Sequence, residues 1–286
     1  ISPTLTNIND FEKDFEGLES LGVIPDDESY FASRPFDLSG EIDVEHVQVQ
    51  EALISTAHML RHMSEHEEQK CYYFTSCESG EGKTGLVANL AIELSHREKE
   101  VLVIDMDVRR PTLGGCFFKE VDHEHSLNAV YDGSVPAEEA VIDVSNTLSI
   151  LPARLEHDRI RLDSILYYRI KELIDDYDIV LLDAPPVGMV SDTMLLNAIA
   201  DQVIIVIKHD FVKIETIKNC IKKLKQSGMN VCGAVITNYK TNFAGAYDFT
   251  YHGNSSAYVG SKKASKKKKG KGFWKRKKDK NKTNEY

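Results

Sequence analysis

Residues 75–84, TSCESGEGKT, constrain the fold of this 286-residue chain more than any other segment. The run Gly80-Glu81-Gly82 permits a tight turn in which several backbone N–H groups point at one anion. The preceding run CYYFTS is typical of a buried strand, and the following run GLVANLAIELSHRE places leucines on one helical face. A strand, a glycine-rich turn and a helix in this order predict a phosphate-binding loop. Cys77 stands where such a loop usually starts with glycine.

The loop residues have roles that follow from their chemistry. Lys83 is expected to lie along the β- and γ-phosphates of a nucleotide, and the Thr84 hydroxyl is expected to hold Mg²⁺. The predicted nucleotide-binding set comprises Glu78, Ser79, Gly80, Glu81, Gly82, Lys83, Thr84 and Gly85.

Further along the chain, short apolar runs alternate with helical patterns. Strands are predicted at VLVID, LSIL, DIVLLD, QVIIVI and VCGAVIT, and the clearest helices at residues 162–176 and 212–226. Near-continuous apolar strands separated by helices predict an α/β fold of the P-loop NTPase type. In that fold a doubly wound, mostly parallel sheet is covered by helices on both faces. Right-handed crossovers then bring the carboxyl ends of the strands to one edge, where ligands bind.

Two acidic segments end at that edge. The run VLVIDMDVRRP leaves its strand with Asp105 and Asp107, which we expect to point the same way, and DIVLLDAPP leaves another strand with Asp183. Carboxylates at strand ends beside a triphosphate are placed to hold Mg²⁺, and one of them could accept a proton from an attacking hydroxyl.

The charge of the chain is unevenly distributed. Residues 262–286 carry a net charge of +11, which leaves −21 on the remainder. Such a basic tail cannot build a core, and we expect it to be disordered. It is either a solvated tail or a segment that binds anionic lipid with Phe273 and Trp274 at the interface. The acidic body argues against nucleic acid as a partner.

The cysteine content and the hydropathy of the chain limit the environments that are expected for it. There are five cysteines and no CxxC pair, which indicates reduced thiols. Cys77 is either a small residue that fits the loop or a redox-sensitive one. No apolar run approaches the length of a membrane span.

Three segments together resemble a known family. SCESGEGKT, VLVIDMDVRRP and IVLLDAPP are similar to the Walker A, Walker A′ and Walker B motifs of the bacterial tyrosine kinases of capsule and exopolysaccharide synthesis. NINDFEKDFEGLESLGVIP resembles the juxtamembrane segment of kinases fused to their polysaccharide co-polymerase. The resemblance covers about residues 8–240. It implies ATP and Mg²⁺ as cofactors and tyrosine autophosphorylation, with the chain's own or a neighbouring subunit as substrate. It also implies a membrane-embedded co-polymerase as activator and a location at the cytoplasmic face of the bacterial inner or plasma membrane.

The resemblance assigns residue roles. Lys83, Asp105, Asp107 and Arg109 form the expected catalytic set, and Thr84, Asp107 and Asp183 the expected metal ligands. Asp105 is the candidate base or a water-mediated ligand. Asn238 either reads the adenine edge or is a turn residue at the end of a strand. The expected phospho-acceptors are Tyr247, Tyr251 and Tyr258.

The same resemblance divides the chain into three parts. Residues 1–40 form a juxtamembrane segment and linker, with a short helix from about Asp10. Residues 41–242 form the P-loop kinase domain, which starts with a helix to about Gln69, and residues 243–286 form a flexible tail that contains tyrosine and many lysines.

Two alternative functions stay open. The ExxRxxR motif that closes a ring of subunits in the family is incomplete, because Ile54 and Ala57 stand at its arginine positions after Glu51. One alternative is a partitioning-type ATPase switch, although such proteins carry a second lysine where this chain has Glu78. The other is an ATP-binding scaffold that no longer transfers phosphate.

Overall fold

The computed structural model describes residues 3–8, 11–15, 17–32, 38, 45–67, 69–96, 99–156, 160–161, 163–187 and 198–240. The strands are β1 (Glu19–Pro25), β2 (Cys71–Ser76), β3 (Val101–Asp105), β4 (Ile142–Asp143), β5 (Leu148–Leu151), β6 (Ile179–Asp183), β7 (Gln202–Lys208) and β8 (Val231–Tyr239). The described helices are α1 (Phe11–Asp14), α2 (Glu28–Ala32), α3 (Val47–Glu67), α4 (Lys83–Ser95), α5 (Gly114–Phe117), α6 (Leu127–Asp132), α7 (Ala137–Ala140), α8 (Ser164–Asp175) and α9 (Ile214–Gln226).

The eight strands form one sheet in the order β1-β8-β7-β2-β6-β3-β5-β4. All neighbouring strands run parallel except β4, which pairs antiparallel with β5 at the edge. The phosphate-loop strand β2 lies between β7 and β6, so the predicted loop starts near the centre of the sheet. The predicted mostly parallel α/β sheet is confirmed.

Alternate residues of each strand point to opposite faces of the sheet, and each face has its own hydrophobic cluster. Tyr72 and Phe74 of β2 pack in the cluster that contains α3 and α4, whereas Tyr73 packs in the cluster that contains α1 and α6 to α9. Burying a large apolar side chain stabilises the fold by about 1.5–3 kcal/mol, so both faces contribute to stability. The predicted cover of helices on both faces is confirmed.

The segment before the phosphate loop is part of this sheet. The short helix expected from about Asp10 is the single turn α1, and LGVIP belongs to β1, which pairs parallel with β8. Helix α2 interrupts the expected linker, and the helix expected over residues 41–69 is found as α3. The division at residue 40 stays a prediction. No helix in the described part of the chain is long and apolar enough to cross a membrane.

The chain divides into two compact units, Ile1–Thr250 and Tyr251–Tyr286. All residues of the second unit lie outside the described part of the chain, and so do residues 241–250. The predicted disordered tail and the proposed acceptors Tyr247, Tyr251 and Tyr258 therefore fall outside the described residues.

Candidate nucleotide site

The phosphate loop joins β2 to α4 through two glycines in the left-handed region. Gly80 has φ 89° and Gly82 has φ 81°, a conformation that glycine adopts without the steric cost of a Cβ. Gly82 is also the N-cap of α4, and no side chain among the described residues caps it. The first N–H groups of α4 are therefore left for an anion, which is the property expected of a phosphate loop.

Lys83, Thr84 and Asp183 meet at the base of the loop. The Lys83 ammonium forms a buried ion pair with the Asp183 carboxylate, and the Thr84 hydroxyl donates to the second carboxylate oxygen at 2.7 Å. The Thr112 hydroxyl lies 3.2 Å from the Thr84 hydroxyl. The structure thus brings together three of the residues singled out in the sequence and adds Thr112, which lies seven residues beyond β3 and which sequence reasoning missed.

Asp105 lies beside this group, because it is paired with Asp183 across β3 and β6. It has no exposed surface, and its carboxylate accepts the backbone N–H groups of Asp107 at 3.1 Å and Leu113 at 3.2 Å. Burial and the nearby charge of Asp183 raise the pKa of Asp105 well above its usual range, although Lys83 opposes this shift. Asp105 is therefore a carboxylate with increased affinity for a proton.

Asp107 and Arg109 lie beyond the strand. The expectation that Asp105 and Asp107 point the same way stays a prediction, because β3 ends at Asp105 and the two-residue alternation applies only within a strand. Asp107 begins a turn in which its carboxylate accepts the Arg110 N–H at 3.2 Å. Burial raises the pKa of Asp107, and the charge of Lys83 opposes this. The Arg109 side chain is exposed to solvent beside this turn.

Glu81 holds the loop against the sheet through its side chain. One carboxylate oxygen accepts the Glu78 N–H at 2.7 Å, and the other accepts the Lys208 N–H at 3.1 Å. The hydroxyl of Thr237 donates to the Glu81 carbonyl at 2.7 Å. Burial raises the pKa of Glu81 to about 7, against the lowering effect of these hydrogen bonds. Sequence reasoning treated Glu81 only as a member of the anion-binding run. The acidic residue between the two loop glycines was the sequence signal that could have indicated that Glu81 also holds the loop in place.

Asn238 lies at the end of β8, next to the loop. Its φ is 52°, and its Oδ1 is 3.6 Å from the position that a Cβ would occupy at Gly82. The Asn238 amide donates to Asp26 at 2.8 Å. Phe31 of α2 lies 3.7 Å from the corresponding Cβ position at Gly85. The N-terminal segment therefore borders the predicted nucleotide site, which no local sequence signal indicated.

The donor set of this site suits Mg²⁺ with a nucleotide. No group of three or more acidic, histidine or cysteine side chains within the described residues forms a metal site made of protein ligands alone. Mg²⁺ is usually held by one or two carboxylates together with phosphate oxygens and water, and the Thr84 hydroxyl and the Asp183 carboxylate supply such oxygens. These residues therefore fit Mg²⁺ held jointly with a phosphate.

Comparison with known proteins places the chain among characterised families. The model of the AAA domain family matches residues 73–231. Tyrosine-protein kinase YwqD of Bacillus subtilis (strain 168) is 29% identical over 199 residues, which cover 67% of this chain and 81% of that protein.

Two solved structures share the fold. The BceF tyrosine kinase domain superposes with a TM-score of 0.70 at 23% identity, covering 82% of this chain and 99% of that one. The kinase domain of the Escherichia coli tyrosine kinase ETK superposes with a TM-score of 0.66 at 21% identity, covering 86% and 96% of the two chains.

Proposed function

We propose that this chain, which belongs to the AAA domain family, is a bacterial protein-tyrosine kinase that transfers phosphate from ATP to tyrosine. The observation that carries the proposal is the buried group of Lys83, Thr84 and Asp183 at the base of the loop, with Asp105 beside it. Similarity to a tyrosine-protein kinase over two thirds of the chain supports tyrosine as the acceptor.

The loop residues bind and orient the nucleotide. Backbone N–H groups between Glu78 and Gly85 surround the phosphates, and the Lys83 ammonium exchanges part of its contact with Asp183 for the phosphate oxygens. Thr84, Asp107 and Asp183 hold Mg²⁺, which neutralises charge on the phosphates when it is bound. Arg109, exposed at the same edge, adds a positive charge near the phosphates.

Asp105 takes the proton from the tyrosine hydroxyl. A general base works best when its pKa lies near the operating pH, and the pKa of Asp105 is raised by burial and by Asp183. The backbone N–H groups of Asp107 and Leu113 fix the orientation of its carboxylate and leave further lone pairs for the hydroxyl. Because Asp105 has no exposed surface, the acceptor hydroxyl has to enter the edge of the site to meet it.

The acceptors are Tyr247, Tyr251 and Tyr258, on the chain's own or a neighbouring subunit. Through their phosphorylation the enzyme regulates capsule or exopolysaccharide synthesis with a membrane-embedded co-polymerase, at the cytoplasmic face of the membrane. These assignments rest on the resemblance of the Walker motifs and of residues 7–25. The basic residues 262–286 bind anionic lipid, and each phosphate added to a nearby tyrosine weakens that binding.

One experiment tests the activity and its alternatives. The full chain is incubated with γ-labelled ATP and Mg²⁺, and the label is located by mass spectrometry. Phosphotyrosine is expected, and it should fall sharply in a Tyr247/Tyr251/Tyr258→Phe triple variant. Label found only as free phosphate would instead indicate an ATPase switch, and tight ATP binding without any product would indicate a scaffold. Equal labelling of the triple variant would overturn the acceptor assignment alone.

A further inference from the structure

Thr112 connects the segment that follows β3 to the expected metal ligand of the phosphate loop. Its hydroxyl donates to the Thr84 hydroxyl at 3.2 Å. The Thr84 hydroxyl in turn donates to the Asp183 carboxylate at 2.7 Å. The three side chains therefore form a directed chain of hydrogen bonds that starts at Thr112 and ends at Asp183.

The backbone next to Thr112 is held by a buried carboxylate. The N–H of Leu113 donates to Asp105 at 3.2 Å, and both of these residues have no exposed surface. The Cys116 thiol of α5 donates to the Thr112 carbonyl at 3.7 Å. The Thr112 side chain is exposed, but its backbone is fixed, so its hydroxyl is held beside Thr84.

We propose that Thr112 is a positioning residue for Mg²⁺, because it fixes the Thr84 hydroxyl in the orientation that leaves an oxygen lone pair for the ion. The inference rests on the proposed function, which takes the base of the loop as the site of the Mg²⁺–nucleotide complex. It adds a residue that acts through a ligand and does not itself bind the ion.

The hydrogen-bonding capacity of the Thr84 hydroxyl supports this role. A hydroxyl has one proton to donate and two lone pairs that accept. The proton of Thr84 goes to Asp183, and one lone pair accepts from Thr112. The Lys83 ammonium lies 3.5 Å from the same oxygen, so a cation already stands near the second lone pair. The proposed shift of Lys83 toward the phosphate oxygens leaves this position to Mg²⁺.

Fixing a hydroxyl ligand matters for Mg²⁺ in particular. This ion demands near-ideal octahedral geometry with ligands at about 2.0–2.1 Å, so a freely rotating hydroxyl is a poor ligand for it. Groups that hydrogen-bond to a metal ligand orient it and are needed for full metal affinity. A valine at position 112 keeps the shape of threonine and cannot donate, so Thr84 would lose one of the two bonds that orient it.

The same turn also holds the proposed base, through a different group. Asp105 accepts from the backbone N–H of Leu113, whereas Thr84 accepts from the side chain of Thr112. A substitution at Thr112 removes the side-chain bond and leaves the backbone bond in place. Its effect should therefore fall on Mg²⁺ binding and leave the orientation of Asp105 unchanged.

The test measures how much Mg²⁺ strengthens nucleotide binding, without turnover. Calorimetry on the full chain gives the affinity for ADP with Mg²⁺ and with EDTA, and the ratio of the two is the contribution of the ion. In Thr112→Val this ratio should fall roughly twofold to tenfold, the range for loss of one hydrogen bond between neutral groups. The affinity in EDTA should stay that of the parent. Electron paramagnetic resonance of Mn²⁺ titrated into the ADP complex should show the same loss.

Two further variants separate the hydroxyl from the shape of the side chain. Thr112→Ser keeps the hydroxyl and should keep the parental ratio, and Thr112→Ala replaces the valine variant if that variant does not fold. Thr6→Val makes the same change at another exposed threonine and should behave as the parent does. A serine variant as impaired as the valine variant would overturn the proposal, and so would an equal loss of affinity in EDTA.

The same measurements distinguish this inference from the proposed function. A parent that binds no ADP, with or without Mg²⁺, would overturn the proposed function together with the role of Thr112. A parent that binds MgADP and transfers phosphate to tyrosine, beside a Thr112→Val variant with an unchanged ratio, would overturn only the role of Thr112.

Discussion

Two buried acidic groups at the phosphate loop, Asp183 at its base and Glu81 within it, are stabilised in different ways. On one side, the carboxylate of Asp183 is paired with the ammonium of Lys83 and the hydroxyl of Thr84. On the other side, the described partners of the Glu81 carboxylate are backbone N–H groups of the loop and of Lys208. In the first group the carboxylate is paired with a charged side chain and a hydroxyl, whereas in the second it is paired with fixed backbone dipoles. We therefore predict that the first group performs chemistry and that the second maintains the shape of the loop.

If this division is right, substitutions on the two sides should change different quantities. Substitutions around Asp183 should alter the rate of phosphate transfer and the charge in contact with the nucleotide. Substitutions around Glu81 should alter the affinity for ATP and the pH dependence of stability. They should leave the rate of transfer from bound ATP nearly unchanged.

The largest effect is expected for Asp105→Asn. The amide cannot take the tyrosine proton, so the rate of transfer from bound ATP should fall by roughly two to four orders of magnitude while ATP affinity stays nearly the same. Single-turnover kinetics and calorimetry measure the two quantities separately. A variant that binds ATP poorly but transfers normally per bound nucleotide would make Asp105 a water-mediated metal ligand instead of the base.

Lys83→Met should come next. The methionine keeps the length of the side chain and removes the charge, which predicts an affinity for MgATP that is about tenfold to a hundredfold weaker. The variant also leaves Asp183 buried without its cation, so its melting temperature should fall. Calorimetry on the folded variant decides the outcome, and an unchanged affinity would mean that this loop is not the nucleotide site.

A smaller effect, on pH dependence, is expected for Glu81→Gln. The pKa of Glu81 is raised to about 7 in the folded protein, so the folded state binds the proton more tightly than the unfolded state does. The stability contributed by protonated Glu81 is fully present at a pH below about 4.5, the usual pKa of this carboxyl, and is lost as the pH rises through about 7. In the Glu81→Gln variant, the melting temperature should therefore fall less than in the parent as the pH rises from about 4.5 through about 7.

The matched control for this prediction is Glu172→Gln, on the exposed side of α8. It should keep the pH profile of the parent. If Glu81→Gln instead lowers the rate of transfer from bound ATP as strongly as Asp105→Asn does, the proposed division between the two sides of the loop is wrong.

The smallest effect is expected at the rim of the site, for Asn238→Gly. Glycine accepts the φ of 52° and removes only the amide, which contacts Asp26 and lies beside Gly82. If this amide reads the adenine edge, the preference for ATP over GTP should fall by roughly twofold to tenfold. A competition assay with the two nucleotides gives the ratio, and an unchanged ratio would make Asn238 a turn residue.

The central part of the fold could be predicted from local sequence patterns. The loop, the strands around it and the parallel sheet follow from apolar runs and from glycine spacing within about ten residues, and the carboxyl ends of β3 and β6 meet because parallel crossovers require it. The positions of Lys83, Thr84, Asp105 and Asp183 were therefore accessible to sequence reasoning. Their catalytic roles remain predictions.

The remaining features depend on contacts between distant parts of the chain. Strand β1 contains Gly22 and, within the described residues, pairs with the distant β8, so its run of residues had no local strand signal of comparable strength. The contact of Asp26 with Asn238 joins residues far apart in the chain, and no spacing rule connects them. The hydrogen bond from Lys208 to Glu81 likewise depends on the strand order.

The pairing of β1 with β8 also has a consequence for the synthesis of the protein on the ribosome. Glu19 lies opposite Gly233, so the first strand leaves the ribosome about 210 residues before β8, its neighbour in the described sheet. At the usual pace of roughly 5–20 residues per second, this interval lasts on the order of 10–40 s. During that time Leu21 and Ile24, which are buried in the finished fold, lack the strand that covers their backbone. A chaperone that binds short apolar segments would have its clearest opportunity on nascent chains that have not yet reached β8.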